Sequence, residues 1–399
     1  MKAGKQEMIR DLNTRLVLEA IIQHDPISRA ELSNLLGLTK ATVSAIVKQL
    51  LDHQLIRETG SRDTSKGRKP IMLTFAKENG HVISIDLTGK QIILMTCNLR
   101  GENCRLYQYA NHYSPQALLT PLKKIIHTIM DELPPTVHGV VGITVGVHAA
   151  VRDNKILFCP YYDLTDINLS EELEKEFHIP IFIENEANFS ALGEKTFCHD
   201  YSNMVNLSIH TGIGLGLILN HRLYTGRNGF AGEFGHTIVQ PNGRLCPCGN
   251  HGCIEQYASE SAILKEYASL SSHLSPSVDD LITAYQHHSV FAIQAIQTFV
   301  TYMAIAINNI TTIFDPDIII INSSFTSYLP DIIPMIQENL TNASKHTGPG
   351  HNIAKLIQPS SHQHKCCPIV PSTLQDTAIL LGGASVCIRN FLGIHILHL

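Results

Sequence analysis

Between Gly229 and Glu255 the chain reads GFAGEFGHTIVQPNGRLCPCGNHGCIE, a run dense in side chains that can bind or catalyse. Three of the ten cysteines fall here as Cys246-x-Cys248-x4-Cys253, the first of them ten residues after His236. Closely spaced thiolates with one imidazole supply three sulfurs and one nitrogen, a donor set suited to Zn2+ in a closed tetrahedral structural site. Gly243, Gly249 and Gly252 let the backbone turn tightly enough for the sulfurs to converge. His236 is the expected nitrogen donor, and His251, inside the Cys248–Cys253 loop, is its rival. Two carboxylates, Glu233 and Glu255, bracket this knuckle. Acids pinned on either side of a rigid loop suit paired hydrogen bonds to neighbouring hydroxyls, as on a sugar. Each is equally suited to capping a helix or pairing with Arg227 or Arg244.

The run G-F-A-G-E-F-G-H followed by C-P-C-G-N-H-G-C-I-E resembles the signature of the ROK family, which contains repressors and sugar kinases. The resemblance extends from about residue 10 to the C-terminus. Glu184-Asn185-Glu186-Ala187-Asn188 and the residues after it, through Phe197, are most similar to the family's xylose-repressor branch. The resemblance implies zinc at His236, Cys246, Cys248 and Cys253. It also implies sugar contacts from Asn185, Glu186, Glu233, His236 and Glu255, with His236 tying the metal to the pocket.

The elements that must position these residues begin with a separate N-terminal module. Leu16, Val17, Ala20 and Ile21 follow helical spacing over Asn13–Gln23. Pro26 breaks the pattern, and Ser28 with Glu31 forms a capping box for a helix over Ala30–Leu36. Gly37 stops that helix, and Thr39 caps a third that runs through Leu51. Helix, short glycine-containing turn and helix make a helix-turn-helix, its core expected from Ala30, Leu35, Leu38, Val43, Ile46, Val47 and Leu50. Lys40, Ala41, Thr42, Ser44 and Lys48 then form the face that reads DNA, combining small polar groups with two cations. Strands at 55–58 and 71–75 flank a polar turn and add a wing. In that turn Lys66, Arg68 and Lys69 suit phosphates or a minor groove, or form a solvated basic hinge. Arg68 and Lys69 fall where the family's repressors carry a similar G-R-x-P segment.

Charge agrees with such a division. Residues 1–76 carry a net +4, and the remainder carries −9. A small basic module on a larger acidic body fits a nucleic-acid reader fused to something else. The 44% hydrophobic and 16% charged composition marks a globular chain rather than a disordered one. The polar start MKAGKQEMIRDLN lacks the apolar segment of a secretory signal, and no uninterrupted apolar run approaches the ~20 residues that span a bilayer. Ten cysteines without an export signal read as reduced thiols plus a metal site, so a cytoplasmic protein is expected.

From Gly80 onward strand and helix patterns alternate, which predicts α/β layering. Strands are expected at 81–86, 91–98, 139–147, 155–159, 181–184, 204–210, up to Leu219, and 318–322. Helices are expected at 115–133, 169–177, 261–270, 278–286, 291–310 and 377–391. The resemblance sharpens this to a two-lobed, actin-like (ribonuclease-H-like) body. Three domains are expected: a winged helix-turn-helix over 1–76, an N-terminal ROK lobe over 77–198 and a C-terminal lobe over 199–399 carrying the zinc loop. The final helix is a candidate to pack back on the N-terminal lobe. Thr211-Gly212-Ile213-Gly214-Leu215-Gly216 is either a phosphate cradle or a hairpin that needs glycine.

A sugar kinase needs a base beside the attacking hydroxyl and a cradle for ATP phosphates. In the family's kinases the base is the Asp of E-N-D-A-N, where this chain has Glu186. Their first phosphate loop is D-x-G-G-T, here Asp86-Leu87-Thr88-Gly89-Lys90. His210 opens the second loop in place of glycine, and Asn322-Ser323 replaces the adenosine-side glycine pair. A base one methylene too long and bulk at backbone–nucleotide contacts both argue against turnover. The expectation is a non-catalytic, xylose-responsive repressor that works on operator DNA as a homodimer or higher homo-oligomer. The alternatives are an active sugar kinase that also binds DNA, and a repressor controlled by a protein partner. One wall of the sugar pocket departs from the family: Thr144–Ala149 lacks its G-x-P-G, and Pro160-Tyr161-Tyr162 replaces an expected P-N near a tryptophan. The effector is therefore xylose, another monosaccharide or a sugar phosphate.

Overall fold

A computed structural model describes residues 2–61, 70–159, 161–345 and 367–394. Lys66, Arg68 and Lys69 of the expected wing turn lie outside the described residues, as does Pro160. The chain divides into two compact units: Met1–Val145 with Asn168–Ile183 and Gly383–Leu399, and Gly146–Ile167 with Glu184–Gly382.

The first unit opens with α1 (Lys2–Gln23), β1 (Ile27–Ser28), α2 (Arg29–Leu36), α3 (Lys40–Asp52), β2 (Ile56–Ser61) and β3 (Ile71–Phe75), the strands pairing in the order β1-β3-β2. Ser28 Oγ accepts from Glu31 N at 3.3 Å and Glu31 Oε2 accepts from Ser28 N at 2.8 Å, completing the capping box. Gly37 ends α2 at φ 64°, a left-handed conformation that favours glycine. Thr39 then caps α3 by accepting from Thr42 N at 3.1 Å. Val17, Leu18, Ile21, Ile22, Leu32, Val43, Ile46, Val47 and Leu50 are buried together here. The expected core needs correction on α2. Ala30 and Leu35 are exposed, and Leu32 is the buried residue. An eight-residue helix has room for one inward row, and here that row falls on Leu32.

The same unit continues with β4 (His81–Leu87), β5 (Gln91–Asn98), β6 (Arg105–Ala110), α4 (Leu119–Glu132) and β7 (Val140–Val147). The hairpin β8 (Ala150–Arg152) and β9 (Lys155–Phe158) belongs to the second unit, and the chain returns to the first for α5 (Leu169–Phe177) and most of β10 (Ile181–Asn185). The sheet order is β10-β7-β4-β5-β6, with β4, β5 and β6 an antiparallel meander. Polar contacts join the winged module to this sheet. Arg100 Nη1 lies 3.3 Å from Oδ2 of Asp25, whose other oxygen accepts from Thr74 Oγ1 within the module, and Asn79 Nδ2 donates to Gln54 O at 2.7 Å.

In the second unit α6 (Glu186–Phe197) leads to β11 (Met204–Ile209), β12 (Ile213–Leu219) and β13 (Arg222–Leu223). Helices α7 (Glu255–Ala258), α8 (Glu260–Ser271), α9 (Val278–Gln286) and α10 (Val290–Phe314) follow. After them come β14 (Ile318–Asn322), α11 (Ser324–Tyr328), α12 (Ile332–Lys345) and β15 (Ile369–Pro371), and then α13 (Ala378–Leu392), which from Gly383 onward belongs to the first unit. The order β13-β12-β11-β14-β15 is mixed: β11 pairs antiparallel with β12, and β14 pairs parallel with β11 and β15. Among the described residues α10 alone is long and apolar enough to cross a membrane, yet half of its most apolar stretch is buried inside the fold. Phe299, Val300, Met303, Ile307 and Ile310 of this helix share one core with Val205, Leu207, Ile319 and Ile321 of the sheet.

Candidate functional site

The second unit gathers the cysteines and His236 into one cluster, with the ligand atoms of His236, Cys246, Cys248 and Cys253 all within 4.8 Å of one another. Cys248 Sγ and Cys253 Sγ are 3.7 Å apart, and Cys246 Sγ lies 3.5 Å from His236 Nδ1. Tetrahedral zinc with bonds of about 2.3 Å to sulfur and 2.05 Å to nitrogen requires edges of about 3.8 and 3.5 Å. The residues therefore fit the ion, with Nδ1 as the donor atom. Burial and its sulfur neighbours push the Cys253 thiol up to about 12, and burial also raises Cys246. Thiols crowded in so dry a place ionise when a cation supplies the compensating charge. The rival imidazole goes elsewhere: His251 is exposed, with Nδ1 3.2 Å from Gly243 O. Bridges between Ile238 and Cys253 and between Leu245 and His251 hold the loop. Gly252, at φ 82°, passes so close to Gln240 that a Cβ would fall 1.7 Å from its carbonyl oxygen.

On the other side of His236, Nε2 lies 3.7 Å from Glu233 Oε2. Burial, then the charges of Glu255 and Glu186, push Glu233 up to about 7. Those two partners are themselves buried. Glu186 Oε2 accepts from Ser208 Oγ at 2.7 Å, and Oε1 lies 3.9 Å from His148 Nδ1. Glu255 Oε2 accepts from Ile213 N at 3.1 Å, while Oε1 accepts a short hydrogen bond from Tyr161 Oη. Burial and the Glu255 carboxylate raise the Tyr161 phenol above its usual range, so it stays a donor. Neither Glu233 nor Glu255 pairs with an arginine among the described residues; Arg244 instead reaches Gln256 O and Glu266. Asn185 is partly committed to structure: Oδ1 caps α6 by accepting from Ala187 N and Asn188 N, and Nδ2 donates to Ala149 O at 3.0 Å.

This arrangement explains the glycine-rich turn. A Cβ on Gly212 would fall 2.5 Å from Glu255 Oε2, and one on Gly214 would fall 3.0 Å from Glu186 Oε1. These glycines admit carboxylates to the β11–β12 hairpin, so the turn is lined with negative charge. Nearby, Glu260 N donates to His210 O at 3.0 Å, and its carboxylate accepts from Ser323 Oγ at 3.1 Å and Ser324 N at 2.7 Å. Sequence reasoning missed Glu260 and His148 as partners in these networks. Their neighbours are distant in the chain, and neither sits in a dense motif.

On the reader module, Lys40, Ala41, Ser44 and Lys48 are exposed along one face of α3. Thr42 is half-buried, its Oγ1 2.9 Å from Thr39 Oγ1. Arg68 and Lys69 lie outside the described residues.

A winged helix-turn-helix joined to an α/β body with a thiol-imidazole knuckle defines a DNA-binding regulator fold. Comparison with known proteins agrees and makes the assignment specific: the chain belongs to the ROK family, whose model matches residues 82–385. A MarR family model matches residues 12–67. The xylose repressor of Bacillus subtilis (strain 168) is 33% identical over 396 residues, covering 98% of this chain and 99% of that one. The DNA-binding transcriptional dual regulator NagC of Escherichia coli (strain K12) is 30% identical over 269 residues, 65% of each chain. Among solved structures, a ROK family transcriptional regulator described as a homologue of the E. coli MLC protein superposes with TM-score 0.78, at 26% identity and 96% coverage of both chains. A ROK family glucokinase from Streptomyces griseus superposes with TM-score 0.66 at 20% identity, covering 77% of this chain and 99% of that one, a likeness of fold.

Proposed function

We propose that this chain is a sugar-responsive transcriptional repressor that releases operator DNA when a monosaccharide, xylose first among candidates, binds beside the metal knuckle. The observation that carries this reading is the grouping of Glu186, Glu233 and Glu255 with His236. Buried carboxylates accept hydrogen bonds from vicinal hydroxyls, and a site built to satisfy particular hydroxyls rejects analogues that lack them. The likeness to the Bacillus subtilis xylose repressor over nearly the whole chain supports xylose.

In this reading Zn2+ is held by His236, Cys246, Cys248 and Cys253. Bound there it supplies rigidity rather than chemistry, fixing His236 and through it Glu233. Residues 1–76 read the operator, through Lys40, Ala41, Thr42, Ser44 and Lys48 and through Arg68 and Lys69 of the wing. Residues 77–198 and 199–399 form the sensor. A homodimer in the cytoplasm would present two such modules to a pseudo-palindrome. Sugar switches the protein only by binding the DNA-incompetent arrangement more tightly than the competent one.

The body is read as non-catalytic. Negative charge at Gly212 and Gly214, and Glu260 on the β14–α11 turn, both oppose a triphosphate, in addition to Glu186 at the base position. The test is a gel shift on the chain's own upstream intergenic DNA, titrated with xylose, other monosaccharides and sugar phosphates. Release by one sugar alone is expected. A shift that no sugar relieves would leave the partner-controlled alternative, and ATP-dependent phosphorylation of xylose, lost in Glu186→Gln, would establish a kinase.

A further inference from the structure

Gln256 stands one residue beyond Glu255 in α7 and takes no part in the carboxylate grouping. Its side chain turns to the metal knuckle instead, where Nε2 donates to Cys246 Sγ across 3.6 Å. That sulfur is buried, Cys246 being 1% exposed, and the Cys248 backbone amide also donates to it. The backbone of α7 is fastened on either side of this contact. Gln256 N donates to Cys253 O at 3.0 Å, and Gln256 O accepts from Arg244 Nη1 at 2.8 Å. The same arginine lies 4.7 Å over the Tyr257 ring, and its backbone N–H donates to Tyr257 Oη at 2.7 Å. Arg244 precedes Cys246 by two residues, so the turn bearing Gln256 and the turn bearing the thiol are clasped together.

A neutral thiol is a poor acceptor, and an amide gains little from it. A thiolate is different, because its hydrogen bonds are charge-assisted. Zn2+ with three thiolates and a neutral imidazole keeps one net negative charge. Here that charge would sit among buried groups, with the Glu255 carboxylate adding to it at Cys246. A buried anion is costly unless donors are aimed at it, and partners of this kind hold metal ligands in place. We propose that Gln256 is a positioning residue of the metal knuckle, whose amide steadies the Cys246 thiolate and slows loss of the ion. This role presupposes zinc at His236 and the three cysteines.

The experiment uses the full chain loaded with Zn2+ or with Co2+, which takes the same donors and whose sulfur-to-metal charge-transfer absorption reports the charge on the thiolates. Gln256→Met keeps the length of the side chain and removes the donor. Its charge-transfer band should move to longer wavelength, since a sulfur stripped of a hydrogen bond gives up electrons more readily. Transfer of Zn2+ to a chromogenic chelator should become at least tenfold faster. Gln256→Lys returns a donor to the position and should restore both the band and the slow release. Tyr257→Phe cuts the bond from Arg244 N without touching the sulfur, and should leave the band where it is in the parent. A band unmoved in Gln256→Met, or zinc lost at the parent's rate, overturns the proposal. Equal band shifts in Gln256→Met and Tyr257→Phe also overturn it, by reducing Gln256 to a packing contact. A parent chain that takes up neither ion fails the zinc assignment itself, a result read before any variant is made.

Discussion

At the scale of residues, the chemistry turns on how few groups share Glu255. Its two oxygens accept from Ile213 N and Tyr161 Oη, so in the proposed sugar site a hydroxyl would have to displace or join the phenol. Tyr161→Phe removes that internal competitor and is expected to tighten sugar binding about fivefold, the worth of one neutral hydrogen bond of about 1 kcal/mol. Calorimetry decides: weaker binding would mean that the phenol itself contacts the sugar. Glu255→Gln keeps the shape and loses the charge-assisted acceptor, and about a 10- to 100-fold loss of sugar affinity is expected from the same titration. Cys248→Ala leaves one imidazole and two thiols, too few for a closed site. Bound zinc, measured by elemental analysis, should fall from one per chain to near zero, together with the sugar response in a gel shift. A Cys248→Ala protein that still let go of DNA normally would remove zinc from the mechanism.

Among elements, α3 and the β11–β12 hairpin show two ways in which local sequence serves a distant purpose. Thr39 and Gly37 are conspicuous signals, and the helix they delimit lies within a residue of its expected span. Lys40, Ala41, Ser44 and Lys48 recur at helical spacing, so their shared face was legible before any tertiary contact was known. Lys48→Ala should weaken operator binding and reduce the slope of log affinity against log salt by about 1, the release of one counter-ion. An unchanged slope would place Lys48 off the phosphate backbone. The hairpin was less legible. Gly212, Gly214 and Gly216 announced close approach without saying what approaches, because Glu186 and Glu255 lie far from them in the chain. Short or edge pieces such as β1, β6, β8 and α11 carried no periodic pattern strong enough to announce them, whereas α12 carried one in Ile332, Ile336 and Leu340 that the sequence reading passed over.

For the whole molecule, the proposed site raises the question of how a sugar bound beside Glu186, Glu233 and Glu255 would reach a reader in the first unit. The chain passes between units after Val145, Ile167, Ile183 and Gly382. His148 and Glu186 each lie within three residues of such a crossing, so in the proposed reading the ligand site adjoins the connecting segments. Within the first unit Arg100 ties Asp25 of the reader to the sheet, with Thr74 on the other carboxylate oxygen. Arg100→Ala is expected to keep operator affinity within about threefold while blunting release by sugar, since the reader's fold does not need Arg100 but its orientation does. Gel shifts with and without sugar measure both quantities, and unaltered release would show that coupling runs by another route.

The sequence by itself determined the parts whose signal is local. The thiol spacing with His236, the capping box at Ser28 and Glu31, the stop at Gly37, and the apolar strands at 71–75, 91–98 and 318–322 each rest on neighbours a few residues apart. Tertiary structure alone decided between the alternatives that the residues left open. It turned His251 toward Gly243 O, brought Tyr161 to Glu255 across 94 positions, and put Leu32 rather than Leu35 into the reader's core. It also set the Gln256 amide against the Cys246 sulfur. The physical reason is the same in each case: hydrogen bonds and burial depend on which atoms become neighbours in space. A motif can state what a side chain is able to hold, while the packing of distant elements decides what it does hold.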